Sequence, residues 1–253
     1  MFFSRMENFL EKNIEGFFNR KFSSSLQFAE IEKILERILT RQKKRVNRAI
    51  FIPNEFTITM SNDDFTRLNN EQTHQQLTLF LYKSVIQKDY FMETLPIIHI
   101  LKSPKFKLGM CDINAIFSSD KTTTSNKLDN DLAQGTIIVP NLDIKELTNS
   151  ETKPKELTFA SLTIIEGPDK DSYLEIGTNP IHLGRRDKNE FILTDVNVSR
   201  LHAYITFEHG RHILHDANSL NGTIVNDKPI TNFCLYPGDI IRIGNTTIHY
   251  NLI

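Results

Sequence analysis

The sequence predicts two folded domains of different class: an α+β domain over residues 1–117 and an all-β domain, a β-sandwich, over residues 157–253. In the first part, apolar residues recur at the spacing of amphipathic helices and then give way to alternating stretches typical of strands. In the second part, only short alternating stretches occur, and glycine-containing turns separate them. Between the two, residues 118–156 lose the apolar period and become rich in Ser, Thr, Asn and Asp, which predicts a flexible polar linker.

The composition is that of a globular protein without a strong charge bias. A chain of 253 residues is long enough for two domains, and 39% hydrophobic with 24% charged residues can form buried cores. The formal net charge of −1 argues against a general nucleic-acid binder. No stretch has the apolar length of a signal peptide or a membrane span, so we expect a cytoplasmic protein. Cys111 and Cys234 lie in apolar segments and are expected to be buried free thiols.

Two helices are predicted to open the first domain. Apolar residues at helical spacing between Phe9 and Phe18 predict one, and a similar set from Phe28 to Leu39 predicts a longer one, with Ser23–Ser25 offering an N-cap. Cations follow at the end of the second helix, where they complement its dipole: Arg41, Lys43, Lys44, Arg45 and Arg48. A solvated helix end is the interpretation that we favour, and the alternative is docking on an anionic membrane or on nucleic acid.

Strands and a further helix complete the predicted first domain. Alternation over Glu55–Met60 predicts a strand, and Asp63-Asp64 can cap a helical stretch that includes Leu77–Ile86. Two more strands are expected at Ile97–Leu101 and Leu108–Phe117.

One apolar island, Gly135–Pro140, interrupts the polar linker. It places a threonine, Thr136, before a run of aliphatic residues. The simpler interpretation is a short strand that packs on a neighbouring domain. The alternative is that Thr136 is a phosphoacceptor presented to a binding module.

Short strands fill the rest of the second domain. The predicted strands are Phe159–Ile165, Tyr173–Ile176, Ile181–Leu183, Glu190–Leu193, Ala203–Phe207, Ile213–His215, Thr223–Val225, Asp239–Ile243 and Thr246–Leu252. Glycine-containing pairs such as His209-Gly210 and Asn221-Gly222 punctuate them, as tight turns require.

Three loops between these strands bring together side chains that suit a phosphate group. They contain Gly184-Arg185, Ser199–Ala203 and Ser219–Thr223. Arginine offers a planar fork of donors that stays protonated, and hydroxyl and amide groups add further donors. The sequence contains no nucleophile with a base and an orienting group, no metal-ligand spacing and no glycine-rich nucleotide loop, any of which would favour another function. We therefore expect a binding module that needs no cofactor or metal, and not an enzyme.

The order of these motifs resembles that of the forkhead-associated (FHA) domain, a β-sandwich that binds phosphothreonine peptides. The matching segments are Gly184-Arg185, Ser199-Arg200-Leu201-His202, Ser219–Thr223, Asn226 and Gly238–Gly244. The resemblance implies that Arg185, Ser199 and Arg200 contact the phosphate and that Asn221 hydrogen-bonds the peptide backbone. It implies a loop-forming role for Gly184, His202, Gly222, Thr223 and Asn226.

Two positions depart from the family pattern. Leu220 stands where the family often has Thr or Ser, which removes one donor near the phosphate. Asp227 stands where the family usually has Gly, and its charge would weaken binding if it lay near the phosphate.

The first domain resembles the N-terminal domain that precedes an FHA domain in FhaA-type bacterial proteins. The matching features are the Phe-rich segment Phe2–Phe22, the stretch Leu26–Ile31 and the stretch Val46–Phe56. This resemblance implies a signalling adaptor beside a bacterial Ser/Thr kinase, in cell-wall or division regulation, which a partner can recruit to the membrane. The expected partners are phosphothreonine-containing proteins, namely a Ser/Thr kinase or its substrates, and not nucleic acid.

Two alternatives remain open at this point. One is a phosphorylation-controlled regulator that binds a phosphothreonine of its own linker, such as Thr136. The other is a structural scaffold that works without phosphate.

Overall fold

The computed structural model describes residues 25–118 and 157–253. The helix expected around Phe9–Phe18 and the linker with Thr136 lie outside the described residues. Within them, the α+β class of the first domain and the all-β class of the second are both as predicted.

The described part of the first domain combines helices with two small sheets. The helices are α1 (Phe28–Gln42), α2 (Asn62–Leu68) and α3 (Glu71–Gln87). The strands are β1 (Lys44–Val46), β2 (Ala49–Phe51), β3 (Glu55–Met60), β4 (Tyr90–Phe91), β5 (Ile97–Lys102) and β6 (Cys111–Ile116). Strand β3 lies between β5, to which it is parallel, and β6, to which it is antiparallel. Strands β1, β2 and β4 form the second sheet.

Amphipathic spacing explains how the helices cover the sheet. Ile31, Leu35 and Leu39 follow one another at four-residue intervals in α1, and all three are buried. Leu77 and Leu81 repeat the pattern in α3. These faces join the alternating buried side chains of β3 in a single core.

The helix starts differ from the sequence prediction. Ser61, and not the Asp63-Asp64 pair, caps α2: its side chain accepts a hydrogen bond from the Asp64 backbone N–H. α3 is a separate helix with its own cap, Asn70. The prediction failed because a serine and an asparagine beside the aspartates were equally good caps.

The start and end of α1 also differ from the prediction. Its N-cap is Gln27, whose backbone N–H donates to the Glu30 carboxylate over 2.9 Å, and no serine of the preceding run takes that place. At the other end, the cations from Lys44 onward do not lie on the helix. Lys44 and Arg45 lie in β1, the exposed first strand of the β1–β2 hairpin, and Arg48 follows Asn47, with φ 55°, in its turn.

The second domain is a sandwich of two sheets. Its strands are β7 (Ala160–Glu166), β8 (Tyr173–Ile176), β9 (Ile181–Gly184), β10 (Phe191–Ile192), β11 (Ala203–Glu208), β12 (Arg211–Asp216), β13 (Thr223–Val225), β14 (Lys228–Ile230), β15 (Asn232–Cys234), β16 (Ile240–Ile243) and β17 (Thr246–Leu252). One sheet has the order β10-β9-β11-β12-β15 and the other β14-β13-β16-β17-β7-β8. Alternate residues of each strand, such as Ile241 and Ile243, point into the core between the sheets.

The two domains contact each other through the turn between β11 and β12. Tyr82 of α3 packs against Phe159 and Phe207 of the sandwich, with ring centroids 4.8 Å and 5.1 Å away. The three predicted loops with Arg185, Ser199 and Asn221 lie at the other end of β11 and β12. The sandwich therefore has one end at the first domain and one end that is exposed.

Candidate functional site

The three loops singled out from the sequence meet around one open groove of about 560 Å³. The predicted phosphate and peptide contacts, Arg185, Ser199, Arg200 and Asn221, all line it. The loops follow β9, precede β11 and follow β12, so adjacent strands of one sheet bring them together.

Arg185 is exposed but held in place. Its backbone N–H donates to the Ser199 carbonyl over 3.1 Å, and its guanidinium Nε donates to the Val198 carbonyl over 2.7 Å. The Nε hydrogen bond fixes the plane of the guanidinium beside the groove. The two terminal nitrogens remain as a fork of donors for an anion.

Gly184 allows two of the loops to approach each other. A Cβ atom at this position would lie 2.7 Å from the Arg200 carbonyl oxygen and 2.8 Å from that of Ser199, and the residue has φ +152°. Both neighbours are backbone atoms that cannot move aside. Only glycine therefore lets the end of β9 lie against the Ser199–Arg200 segment.

His202 joins the second loop to the third from beneath. The side chain is fully buried, its Nδ1 accepts a hydrogen bond from the Ser199 N–H over 3.0 Å, and its Nε2 lies 3.1 Å from the Gly222 carbonyl. This pairing requires a neutral ring with its proton on Nε2. Burial favours the neutral form and lowers the pKa of His202.

Ser199 and Asn221 are also oriented by neighbours within the groove. The Ser199 hydroxyl oxygen accepts a hydrogen bond from the Leu220 N–H over 3.1 Å, so its own proton can be donated to a ligand. The Asn221 side-chain amide donates to the Asn197 carbonyl over 2.8 Å.

Asp216 organises the third loop. Its carboxylate accepts hydrogen bonds from the Ser219 hydroxyl at 2.6 Å and the buried Thr223 hydroxyl at 2.7 Å. Burial alone would raise the pKa of Asp216, but these hydrogen bonds outweigh it and lower the pKa. Gly222 completes the turn with φ 75°.

Charge in the groove is strongly one-sided. Arg185, Arg186 and Arg200 are all exposed there, and none of the described residues that line the groove is acidic. Two apolar side chains stand on its walls: Val196 is 80% exposed and Leu220 is 90% exposed. The groove therefore offers cationic donors beside apolar surface, which suits a ligand that carries both an anionic group and apolar atoms.

Sequence reasoning did not single out Val196 or Asp195 for this site. Val196 lines the groove together with Arg186, and Asp195 supports it from beneath by accepting hydrogen bonds from the backbone N–H groups of Asn197 and Asn245. The Asp195–Asn197 spacing is that of an Asx turn, a signal that could have identified Asp195.

The two departures from the family pattern have different outcomes. Asp227 does not line the groove; with Asn226 it forms the β13–β14 turn at φ 62° and 48°, beside a second, smaller groove of about 350 Å³. The Asn226 side chain donates a hydrogen bond to the Asp239 carboxylate and accepts one from the Ile240 N–H. Leu220 does line the phosphate groove and contributes a backbone N–H to Ser199.

Within residues 25–118 and 157–253, the cysteines and the possible metal ligands are not gathered into a second site. Cys111 and Cys234 are free, as expected, but are only half-buried, and burial raises the pKa of both thiols, that of Cys111 to about 12. Among residues 25–118 and 157–253, no group of His, Cys, Asp or Glu has a metal-binding arrangement. Over the same ranges, no helix combines the length and apolar character needed to cross a membrane.

Comparison with known families matches both domains. Residues 3–114 match the FhaA N-terminal domain, and residues 181–244 match the FHA domain. The FHA domain-containing protein FhaA of Mycobacterium tuberculosis is 37% identical over 91 residues, which make up 36% of this chain and 17% of that protein. The glycogen accumulation regulator GarA of Mycolicibacterium smegmatis is 36% identical over 85 residues, 34% of this chain and 54% of that one. The chain thus spans less than two thirds of these relatives.

Two solved structures are among those that align with the second domain. A structure from a study of phosphothreonine-dependent FHA domain interactions is 31% identical and covers 38% of this chain and 98% of that one, with a TM-score of 0.35. A second structure is the FhaA FHA domain in complex with the intracellular domain of Rv3910. It is 30% identical and covers 36% of this chain and 99% of that one, with a TM-score of 0.34.

Proposed function

Since the chain belongs to the FHA-domain proteins and carries an FhaA N-terminal domain, we propose that it is a non-enzymatic adaptor that binds phosphothreonine peptides. The domain boundaries that go with this proposal are residues 1–117, a linker over 118–156, and 157–253. The observation that carries the proposal is the groove, in which three arginines surround the anchored hydroxyl of Ser199.

We assign each side chain the role that the resemblance to FHA domains implies. Arg185 binds two phosphate oxygens with its terminal nitrogens, because its Nε is already held by Val198. Ser199 donates its hydroxyl proton to a third oxygen, and Arg200 supplies a further positive charge at the rim. Asn221 contacts the peptide backbone beside the phosphothreonine.

The proposed partners are Ser/Thr-kinase substrates or the kinase itself. We place the adaptor in cell-wall or division regulation because of its FhaA-type domain order. The relatives include GarA and the oxoglutarate dehydrogenase inhibitor of Corynebacterium efficiens, both named as regulators and not as enzymes.

Calorimetric titration of the full chain with a degenerate phosphothreonine peptide pool tests the proposal, with phosphoserine and unphosphorylated pools beside it. Arg185→Ala is expected to weaken phosphothreonine binding roughly 10- to 150-fold, because a hydrogen bond to a charged group contributes about 1.5–3 kcal/mol. Arg242→Ala is the matched control, since Arg242 is an exposed arginine of the same domain that lines the other groove.

Three outcomes separate the candidates. Binding of phosphothreonine alone, lost in Arg185→Ala and kept in Arg242→Ala, supports the adaptor. No binding to any pool overturns it and favours the phosphate-independent scaffold. Binding that disappears once the chain's own threonines have been phosphorylated favours the self-binding regulator.

A further inference from the structure

The end of the sandwich opposite the groove is covered by the first domain. Strand β11 begins directly after the groove loop and ends at the turn His209-Gly210, about 20 Å away at roughly 3.3 Å per residue. At that turn, the chain meets the segment that follows α3. The Met92 N–H donates to the His209 carbonyl over 3.0 Å, and His209 Nδ1 lies 3.2 Å from the Met92 carbonyl.

Arg211 forms an ion pair between the domains. Its side chain is completely buried, and Nη1 forms an ion pair with Asp89 of the first domain at 2.8 Å. The guanidinium lies over the rings of Tyr236, at 4.4 Å, and Phe91, at 5.5 Å. Tyr236 also donates its hydroxyl proton to Asp89 over 3.0 Å. A buried cation is costly unless it is paired, so this arginine depends on a carboxylate from the other domain.

Gly210 fits the turn to the first domain. A Cβ atom at this position would lie 3.0 Å from Val85 Cγ1 and 3.2 Å from Met92 Cε, and the residue has φ +79°. The turn is buried there because the end of α3 packs directly against its backbone. A larger residue would strain the turn and require the Val85 and Met92 side chains to move by a few tenths of an ångström.

Aromatic rings fill the rest of the contact. Tyr82 of α3 is 4% exposed and lies against Phe159 and Phe207. Phe207 in turn contacts the ring of the buried His212, with centroids 5.0 Å apart. The contact is therefore continuous with the core of the sandwich and has the buried aromatic character of a stable interface.

We propose that this end of the FHA domain is a binding surface for the chain's own FhaA-type domain, with Arg211 and Asp89 as its central pair. The two domains then move as one rigid body. The noncovalent interface is sufficient to hold them together, even when the chain is cut within residues 119–156. A phosphopeptide in the groove and a partner of the first domain are held at a fixed separation. This inference stands independently of what the groove binds.

Cutting the connection tests the proposal on the full chain. A site for a sequence-specific protease is inserted within residues 119–156, the purified chain is cut, and size-exclusion chromatography follows the two halves during dilution. The halves are expected to co-elute at micromolar concentration. Separation of the halves at that concentration would overturn the proposal.

Two variants test whether the Arg211–Asp89 pair contributes to the association of the halves. Asp89→Lys, at a side chain that is 59% exposed, is expected to raise the dissociation constant of the cut halves at least about 30-fold, since it leaves the buried guanidinium of Arg211 without its carboxylate, which costs roughly 2 kcal/mol or more. Arg242→Glu, the matched charge reversal of an exposed arginine elsewhere on the sandwich, is expected to leave it unchanged.

If the cut halves of the Asp89→Lys chain have the same dissociation constant as the unaltered halves, the proposed role of the Arg211–Asp89 pair is wrong. Circular dichroism of the uncut Asp89→Lys chain distinguishes separation of folded halves from unfolding. Folded halves that separate support the proposal. If the uncut Asp89→Lys chain is unfolded, the test moves to Gly210→Ala, which is expected to raise the dissociation constant of the cut halves; an unchanged constant would overturn the proposal.

Discussion

Each end of the FHA sandwich presents an arginine, and the two arginines have opposite environments. Arg185 is exposed, and a single backbone carbonyl orients its guanidinium beside the groove. Arg211 is fully buried between two aromatic rings and an aspartate of the first domain. An exposed guanidinium can exchange water for a ligand without affecting the fold, whereas a buried one has no such alternative. The difference teaches that burial, and not residue type, decides whether an arginine serves recognition or stability.

The largest expected effect follows from truncating the buried arginine. Arg211→Ala is expected to lower the free energy of unfolding of the full chain by about 3–4 kcal/mol, because it removes the ion pair and the packed side-chain stem together. Arg185→Ala is expected to change it by less than about 0.5 kcal/mol. Urea denaturation measures both. Equal losses for the two variants would contradict the comparison.

The second-largest expected effect is a loss of stability at low pH, caused by His212 at the buried end of the FHA domain. Burial lowers the pKa of His212 to about 4, from 6.5 in the unfolded chain, while its ring pairs with Tyr250 and the Gly177 carbonyl. The unfolded chain therefore binds a proton more readily. The contribution of neutral His212 to the free energy of unfolding is fully present above pH 6.5. It falls by about 2–3 kcal/mol as the pH drops from 6.5 towards 4.

Urea denaturation at a series of pH values between 7 and 4 measures this loss. His212→Gln is the control, since it removes the titrating group and should flatten the profile. His202, at the groove end, has its pKa shifted in the same direction and accounts for part of any remaining slope. A His212→Gln profile as steep as that of the unaltered chain would rule out His212 as the source.

The smallest expected effect concerns the apolar walls of the groove. Leu220→Ser is expected to weaken the binding of phosphothreonine peptides that carry an apolar side chain near the phosphate. The loss is about 1 kcal/mol, or roughly fivefold in affinity, because contact area is lost. Peptides with polar neighbours should be unaffected, and so should the unfolding free energy, because Leu220 is 90% exposed. A peptide array probed with both proteins makes the measurement, and a uniform loss across all peptides would point to a damaged groove instead.

The groove was predictable from the sequence, whereas the domain contact was not. Arg185, Ser199 and Asn221 stand in short loops between alternating strands, and the order of those loops carries the family pattern. Arg211 lies within β12 beside the equally buried His212, so the alternation that marks one face of a strand is broken there. Only the carboxylate of Asp89, more than a hundred positions away, explains why a charged residue is buried at that point.

Two hairpins escaped prediction for a local reason. The β13–β14 turn uses Asn226-Asp227, and the β1–β2 turn uses Asn47; both adopt positive φ without a glycine. Without glycine, the turn signal is weak, and the cations of β1 then resembled a helix end. The strands joined by glycine-containing turns, by contrast, lie close to their predicted bounds.

The anchoring of the groove has a consequence for the kinetics of binding. Arg185, Ser199 and Asn221 each hold a hydrogen bond to a neighbouring loop before any ligand arrives. Conformational entropy at these side chains is thus lost during folding, so an incoming peptide must order itself but not the protein. Association is therefore expected to proceed in a single step, accelerated at low ionic strength by the three arginines and without a slow rearrangement phase.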